Sequence, residues 1–141
     1  MIERLPAIVD HAHDPSLRTA FADHLAQTRQ QVNRLENAFA LAGLNPKRNR
    51  CEAMKGLLAA CKRLLNAVAE PAIKDAALIA AIQRIKLYKI ASYGAVRNFA
   101  MRCEQAGIAD LLQQSLDEEG DADQRLTEIA EQIVNADAAR V

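Results

Sequence analysis

The stretch QRIKLYKIASYG, residues 83–94, lies in the longest apolar run of the chain and carries two lysines, Lys86 and Lys89. Pro71 is suited to the first turn of a helix, and the run continues to about Cys103 without another proline. Successive residues of a helix are rotated by about 100°, so Leu78, Ile82, Ile85, Val96 and Phe99 form one apolar stripe. Lys89 and Ser92 fall in the middle of that stripe and Lys86 on its shoulder. A long helix with charge at the centre of its core face is the feature to be explained.

Outward from this helix the punctuation is regular. Asp14-Pro15 supplies an N-cap and first-turn proline for a helix reaching Ala42, with Gly43 as its C-terminal stop. GLNPKRNR reads as a loop, and a shorter helix runs from about Glu52 to Val68. Gly107 is expected to break the long helix, and a last helix spans Ile108 to about Asn135. MIERLPAIVDHA reads as the end of a helix whose beginning is missing or very short. Short connections make successive helices antiparallel neighbours.

Composition supports this reading. Half of the 141 residues are apolar, only 4 % are aromatic, and there are five Gly and four Pro, a balance suited to an all-α bundle forming a single domain over residues 1–141. Eighteen basic and eighteen acidic residues cancel, so no overall field points to nucleic acid or an anionic membrane. The sequence suggests neither a membrane span nor a signal peptide. Three cysteines without CxxC spacing fit reduced thiols and a cytoplasmic location.

The other stripes also turn polar at mid-height. In the last helix Ile108, Leu112, Leu126, Ile129 and Ile133 flank Ser115, Glu119 and Ala122, with Glu118 and Asp123 beside them. In the Pro15–Ala42 helix Leu17, Phe21, Leu25, Val32, Leu35 and Phe39 flank Thr28, with His24, Gln27 and Gln31 at its sides. A hairpin turning near residue 104 sets Lys89 and Glu119 level, each fifteen residues from the turn. Either charge buried alone is costly, and pairing retains both at least cost. The alternative is a Lys89 that snorkels to water; Lys86, on the shoulder, is the one expected to be solvated. Bundle-centre di-metal sites use Glu and Glu-x-x-His, and no Glu-x-x-His occurs here.

The strings FADHLAQTRQQVNRLE, CEAMKGL, DAALIAAIQRIKLYKIASYG and LDEEGDADQRLTEIA resemble the ferritin-like YciE/YciF family of bacterial stress-associated proteins, from Leu5-Pro6 to about Ala130. The resemblance implies an antiparallel four-helix bundle with a short additional helical segment, often dimeric, and a di-iron-type centre. It also exposes departures. Ala26 and Gln27 stand where relatives carry carboxylates, and Arg29 where they carry a helper histidine. Lys86-Leu87-Tyr88-Lys89 replaces Glu-His-Tyr-Glu. A further carboxylate expected upstream of Leu5 would precede Met1 or be absent, and only Glu118 and Glu119 keep their acids. The expectation is a metal-free protein in which lysine charges take the place of cations. It would be a stress-linked structural or binding protein and a homodimer, with no bound cofactor. The alternatives are a ferroxidase or oxidase holding iron or manganese at an atypical site, and a small adaptor or cargo protein with a protein partner.

Other features read as structural. His11 and His13 are too few and too divergent for a metal site. Lys47, Arg48 and Arg50 form a solvated basic loop open to an acidic partner. Cys51 begins a helix, where the dipole favours thiolate, yet reads first as a small buried apolar residue. Tyr88 and Tyr93 read as packing. Gly94 is expected to permit close helix approach, and Gly120 has no evident reason.

Overall fold

The computed structural model describes residues 5–47 and 49–141; Met1–Arg4 and Arg48, a member of the basic loop, lie outside it. The elements are α1 (Leu5–His11), α2 (Pro15–Leu41), α3 (Glu52–Leu65), α4 (Pro71–Arg102) and α5 (Ala106–Ile129). A π-helical turn, Ala130–Val134, carries α5 into α6 (Asn135–Ala138). Among the described residues there is no strand. No described helix is long and apolar enough to cross a membrane.

The helix ends follow from local chemistry. The Asp14 carboxylate accepts the Leu17 N–H at 2.8 Å, and Pro15 occupies the first turn, where its missing N–H costs nothing. α2 stops at a left-handed Gly43 (φ 66°), with Leu44 N–H bonded to Phe39 C=O and Gly43 N–H to Ala40 C=O. α4 stops in the same way, but its left-handed residue is Glu104 (φ 57°), with Gln105 N–H on Ala100 C=O. Gly107, expected as the breaker, instead lies in the first turn of α5.

Cross-helix bonds fix the directions. α4 and α5 run antiparallel, with Gln83 donating to Thr127 and Lys89 to Glu119. α2 is antiparallel to α5, through Asp23–Arg125 and Arg34–Glu118. α3 descends along α4 from Cys51 beside Tyr88 to Leu65, whose carbonyl accepts from Lys74. α1 lies below, and the buried Asp75 carboxylate holds the α1–α2 corner by accepting the N–H groups of His13 and Asp14 at 2.7–3.1 Å.

Because α1 and α3 are short, they cover only the lower half of the bundle. There Ile8, Leu17, Phe21, Cys61, Leu78, Ile82, Ile85 and Leu126 make the main core. Above Tyr88, among the described residues, α2, α4 and α5 surround a small cluster of Ala100, Ala109 and Leu112. Val96 and Phe99, expected in the core stripe, are therefore exposed, Phe99 to 72 %. Ser92 is also exposed and bonds back to the Tyr88 carbonyl. A Cβ at Gly94 would meet nothing within 4 Å, so close helix approach does not account for that glycine.

Candidate functional site

The polar layer sits where the lower core ends. Lys86 and Lys89 come from α4, Glu118, Glu119 and Ser115 from α5, and His24, Thr28, Gln31 and Arg34 from α2. Lys89 Nζ donates to Glu119 Oε1 at 2.5 Å and to Gln31 Oε1 at 2.7 Å. It also lies 6.0 Å from the centroid of the Tyr93 ring, within cation–π range. Gln31 in turn donates to Glu118 Oε2 at 3.1 Å. Arg34 grips Glu118 with both terminal nitrogens, at 2.8 and 3.0 Å, and donates to Ser115 Oγ at 2.8 Å.

Lys86 corrects the expectation of a solvated side chain: it is wholly buried. Its Nζ lies 2.9 Å from His24 Nδ1 and 3.5 Å from Glu119 Oε2. The second contact is close enough for charge attraction but lacks hydrogen-bond alignment, so Glu119 Oε2 has no hydrogen-bond partner. One carboxylate therefore faces two ammonium groups. A charged Lys86 can only donate, which makes His24 Nδ1 the acceptor and puts the ring proton on Nε2, an atom also without a partner.

The titration behaviour follows from this packing. Burial, reinforced by Lys86, lowers His24 to about 3, so the ring is neutral. Burial lowers Lys86 to about 8 against the pull of Glu119, with Lys89 adding repulsion. Lys89 is lowered in the same sense. Burial pushes Glu119 upward, but the charges of Lys89 and Lys86 prevail and hold it below the ordinary carboxylate range. Burial and Glu119 raise Tyr93 to about 12.

The remaining sequence candidates separate. Ala26 and Arg29 are exposed on the outer side of α2, away from the layer. Gln27 is half-buried and lines a cavity with Lys86. His11 bonds the Ala7 carbonyl on its own helix, and His13 is exposed. Cys51 is exposed rather than buried; its Sγ accepts the Met54 N–H and meets Tyr88 Oη at 3.0 Å, and this Tyr88 bond lowers the thiol pKa. Arg34 and Asp75 were not singled out from sequence, because each acts on a partner more than sixty residues away.

The donor set does not fit a carboxylate-bridged dinuclear metal centre. The layer's innermost carboxylate is engaged by one ammonium and faced by another, and its imidazole nitrogen is bonded to the second. A divalent ion placed there would meet two positive charges within the same few ångströms. Among the described residues, no three His, Cys, Asp or Glu side chains converge as metal ligands would.

Residues 1–139 match a family described as a domain of unknown function, DUF892. The chain is 36 % identical over 123 residues to Protein YciF of Escherichia coli strain K12, covering 86 % of this chain and 74 % of YciF. The crystal structure of the E. coli stress protein YciF superposes with a TM-score of 0.91 at 32 % identity, over 95 % of this chain and 85 % of that one. A second solved structure, YcfI, a putative structural protein from Rhodopseudomonas palustris, gives a TM-score of 0.86 at 28 % identity, over 89 % and 80 %.

Proposed function

From its membership of the DUF892 family and its ferritin-like all-α fold, we propose that the chain is a metal-free, stress-associated structural or binding protein, working in the cytoplasm as a homodimer. In this reading the Lys86 and Lys89 ammonium groups supply, around Glu119, the positive charge that cations would supply in a di-metal relative. The observation that carries it is the pair of ammonium groups around one buried carboxylate, 2.5 and 3.5 Å away. One relative is described as a stress protein and another as a putative structural protein, which supports a stress-associated structural role.

The charge-replacement reading is tested by restoring acids. A Lys86→Glu/Lys89→Glu variant places three carboxylates around one point, so it should be destabilised without metal and rescued by it. Thermal unfolding with and without millimolar Mn²⁺ is the readout, since a ligand that binds the native state raises Tm. The double variant should gain several degrees while the natural chain stays unchanged. Equal responses from the two proteins would refute the reading.

A further inference from the structure

On the upper part of α4, Ser92, Ala95, Val96, Phe99 and Cys103 fall on one face at about 100° per residue, and all five are exposed. That face has a thiol at each end. At the lower end Cys51, exposed at the start of α3, holds its Sγ 3.0 Å from Tyr88 Oη. At the upper end stands Cys103, fifteen residues along the helix from Tyr88 and so about 22 Å above it. Thiols at opposite ends of such a face do not meet within one chain. We propose that two copies pair antiparallel along this face, α4 against α4, and that oxidation joins Cys51 of each copy to Cys103 of the other. The proposal rests on the homodimer put forward above and assigns its interface.

A two-fold axis that levels Cys103 with Tyr88 of the second copy also levels Phe99 with Ser92 and Val96 with Ala95. Each large apolar side chain then meets a small one, which lets the helices approach. Ser92 already bonds the Tyr88 carbonyl at 2.8 Å, so covering it strands no hydroxyl. The ends are complementary in charge. Exposed Arg50 and Glu52 flank Cys51, and exposed Arg102 and Glu104 flank Cys103, so antiparallel pairing offers each base an acid of the other copy. The strip is one helix wide, less than the roughly 800 Å² per partner of a stable interface, so the contact is of the weak class that a covalent link would fasten. The link needs only a low-molecular-weight disulfide. Tyr88 Oη and the Met54 N–H hold the Cys51 thiol below its ordinary pKa, so Cys51 attacks first. It displaces one small thiolate and becomes a mixed disulfide. Cys103 of the second copy then attacks the Cys51 sulfur, and its proton leaves with the second small thiol. Each link takes two electrons from the protein and reduces one small disulfide to two thiols.

Cross-linking of single-cysteine variants tests it. The chain at tens of micromolar is treated with oxidised glutathione, run on a non-reducing gel, and its disulfide peptides are mapped by mass spectrometry. A Cys51–Cys103 linked dimer should form, with the buried Cys61 left unlinked. Cys51→Ser and Cys103→Ser should each stay unlinked alone, yet give a covalent dimer when mixed. Phe99→Asp, at an exposed position, should slow linkage about tenfold by removing the central aromatic of the contact. A Cys51–Cys51 or Cys103–Cys103 link would overturn the proposed register, and a rate indifferent to Phe99→Asp would overturn the face. Sedimentation of the reduced chain separates the two claims. A dimer that gives no Cys51–Cys103 link refutes this interface and leaves the homodimer standing; a monomer that gives none refutes both.

Discussion

Glu119 answers two cations at once, and this sets what each substitution at the layer must do. Glu119→Gln leaves both ammonium groups without their counter-charge in a buried site. It should cost roughly 3 kcal/mol or more, read as a fall in the urea midpoint at unchanged slope. Replacing Lys89 by Met together with Glu119 by Leu still strands Lys86, whose Nζ is 3.5 Å from Glu119 Oε2. Only the triple change, adding Lys86→Met, should recover most of the loss, because well-packed apolar groups can replace buried charge. If the double change recovers as fully as the triple, Lys86 is not coupled to Glu119. Residues 89 and 119 were level on paper because each is fifteen residues from one turn. Lys86 was not legible in that way. A helical wheel gives a direction but not the width of the buried arc, and α4 packs against α5 on one side and α3 on another. The shoulder of its stripe is thus inside the protein.

Elements were legible where caps are local and less so where tertiary coverage decides. Asp14-Pro15 and Gly43 marked α2 because their chemistry acts within a few residues. The end of α4 near Cys103 was legible, but its breaker was not, because Glu104 rather than Gly107 adopts the left-handed conformation that glycine favours. Glu104→Gly should therefore stabilise the chain by about 1 kcal/mol, seen as a rise in Tm; an unchanged or lower Tm would contradict this. α3 ends at Leu65, short of the expected Val68, and begins level with Tyr88, so the outer face of α4 above it is bare. No periodicity in α4 could reveal that Val96 and Phe99 stay exposed among the described residues. The α1–α2 corner depends on Asp75, which satisfies two backbone N–H groups from a helix sixty residues away. Asp75→Ala should cost about 2–3 kcal/mol and speed hydrogen exchange at His13 and Asp14. Unaltered exchange there would show that the corner holds without it.

At the scale of the whole molecule the buried layer shapes the response to pH. Unfolded His24 takes up a proton below about 6.5, whereas folded His24 waits until about 3, so acid favours the unfolded chain across that window. Stability should drop by several kcal/mol from pH 7 to pH 3, and by less in His24→Gln. Lys86 has the same sign at the other end. Between about 8 and 10.5 the unfolded state holds the extra proton, so raising the pH to 9.5 should relieve about 2 kcal/mol relative to Lys86→Met. A flat difference between those two proteins from pH 7 to 9.5 would count against a buried Lys86. Val96 and Phe99, exposed together on the upper part of α4, fit the proposed homodimer. Sedimentation at tens of micromolar should give twice the 15.5 kDa chain mass, and a clean monomer would refute it. The central proposition is that lysine charge stands where cations would. Its most direct measurement is the iron, manganese and zinc content of protein purified without chelator. Well under one equivalent of metal per chain is expected. Two equivalents, lost on substitution of Glu118, Glu119 or His24, would contradict it.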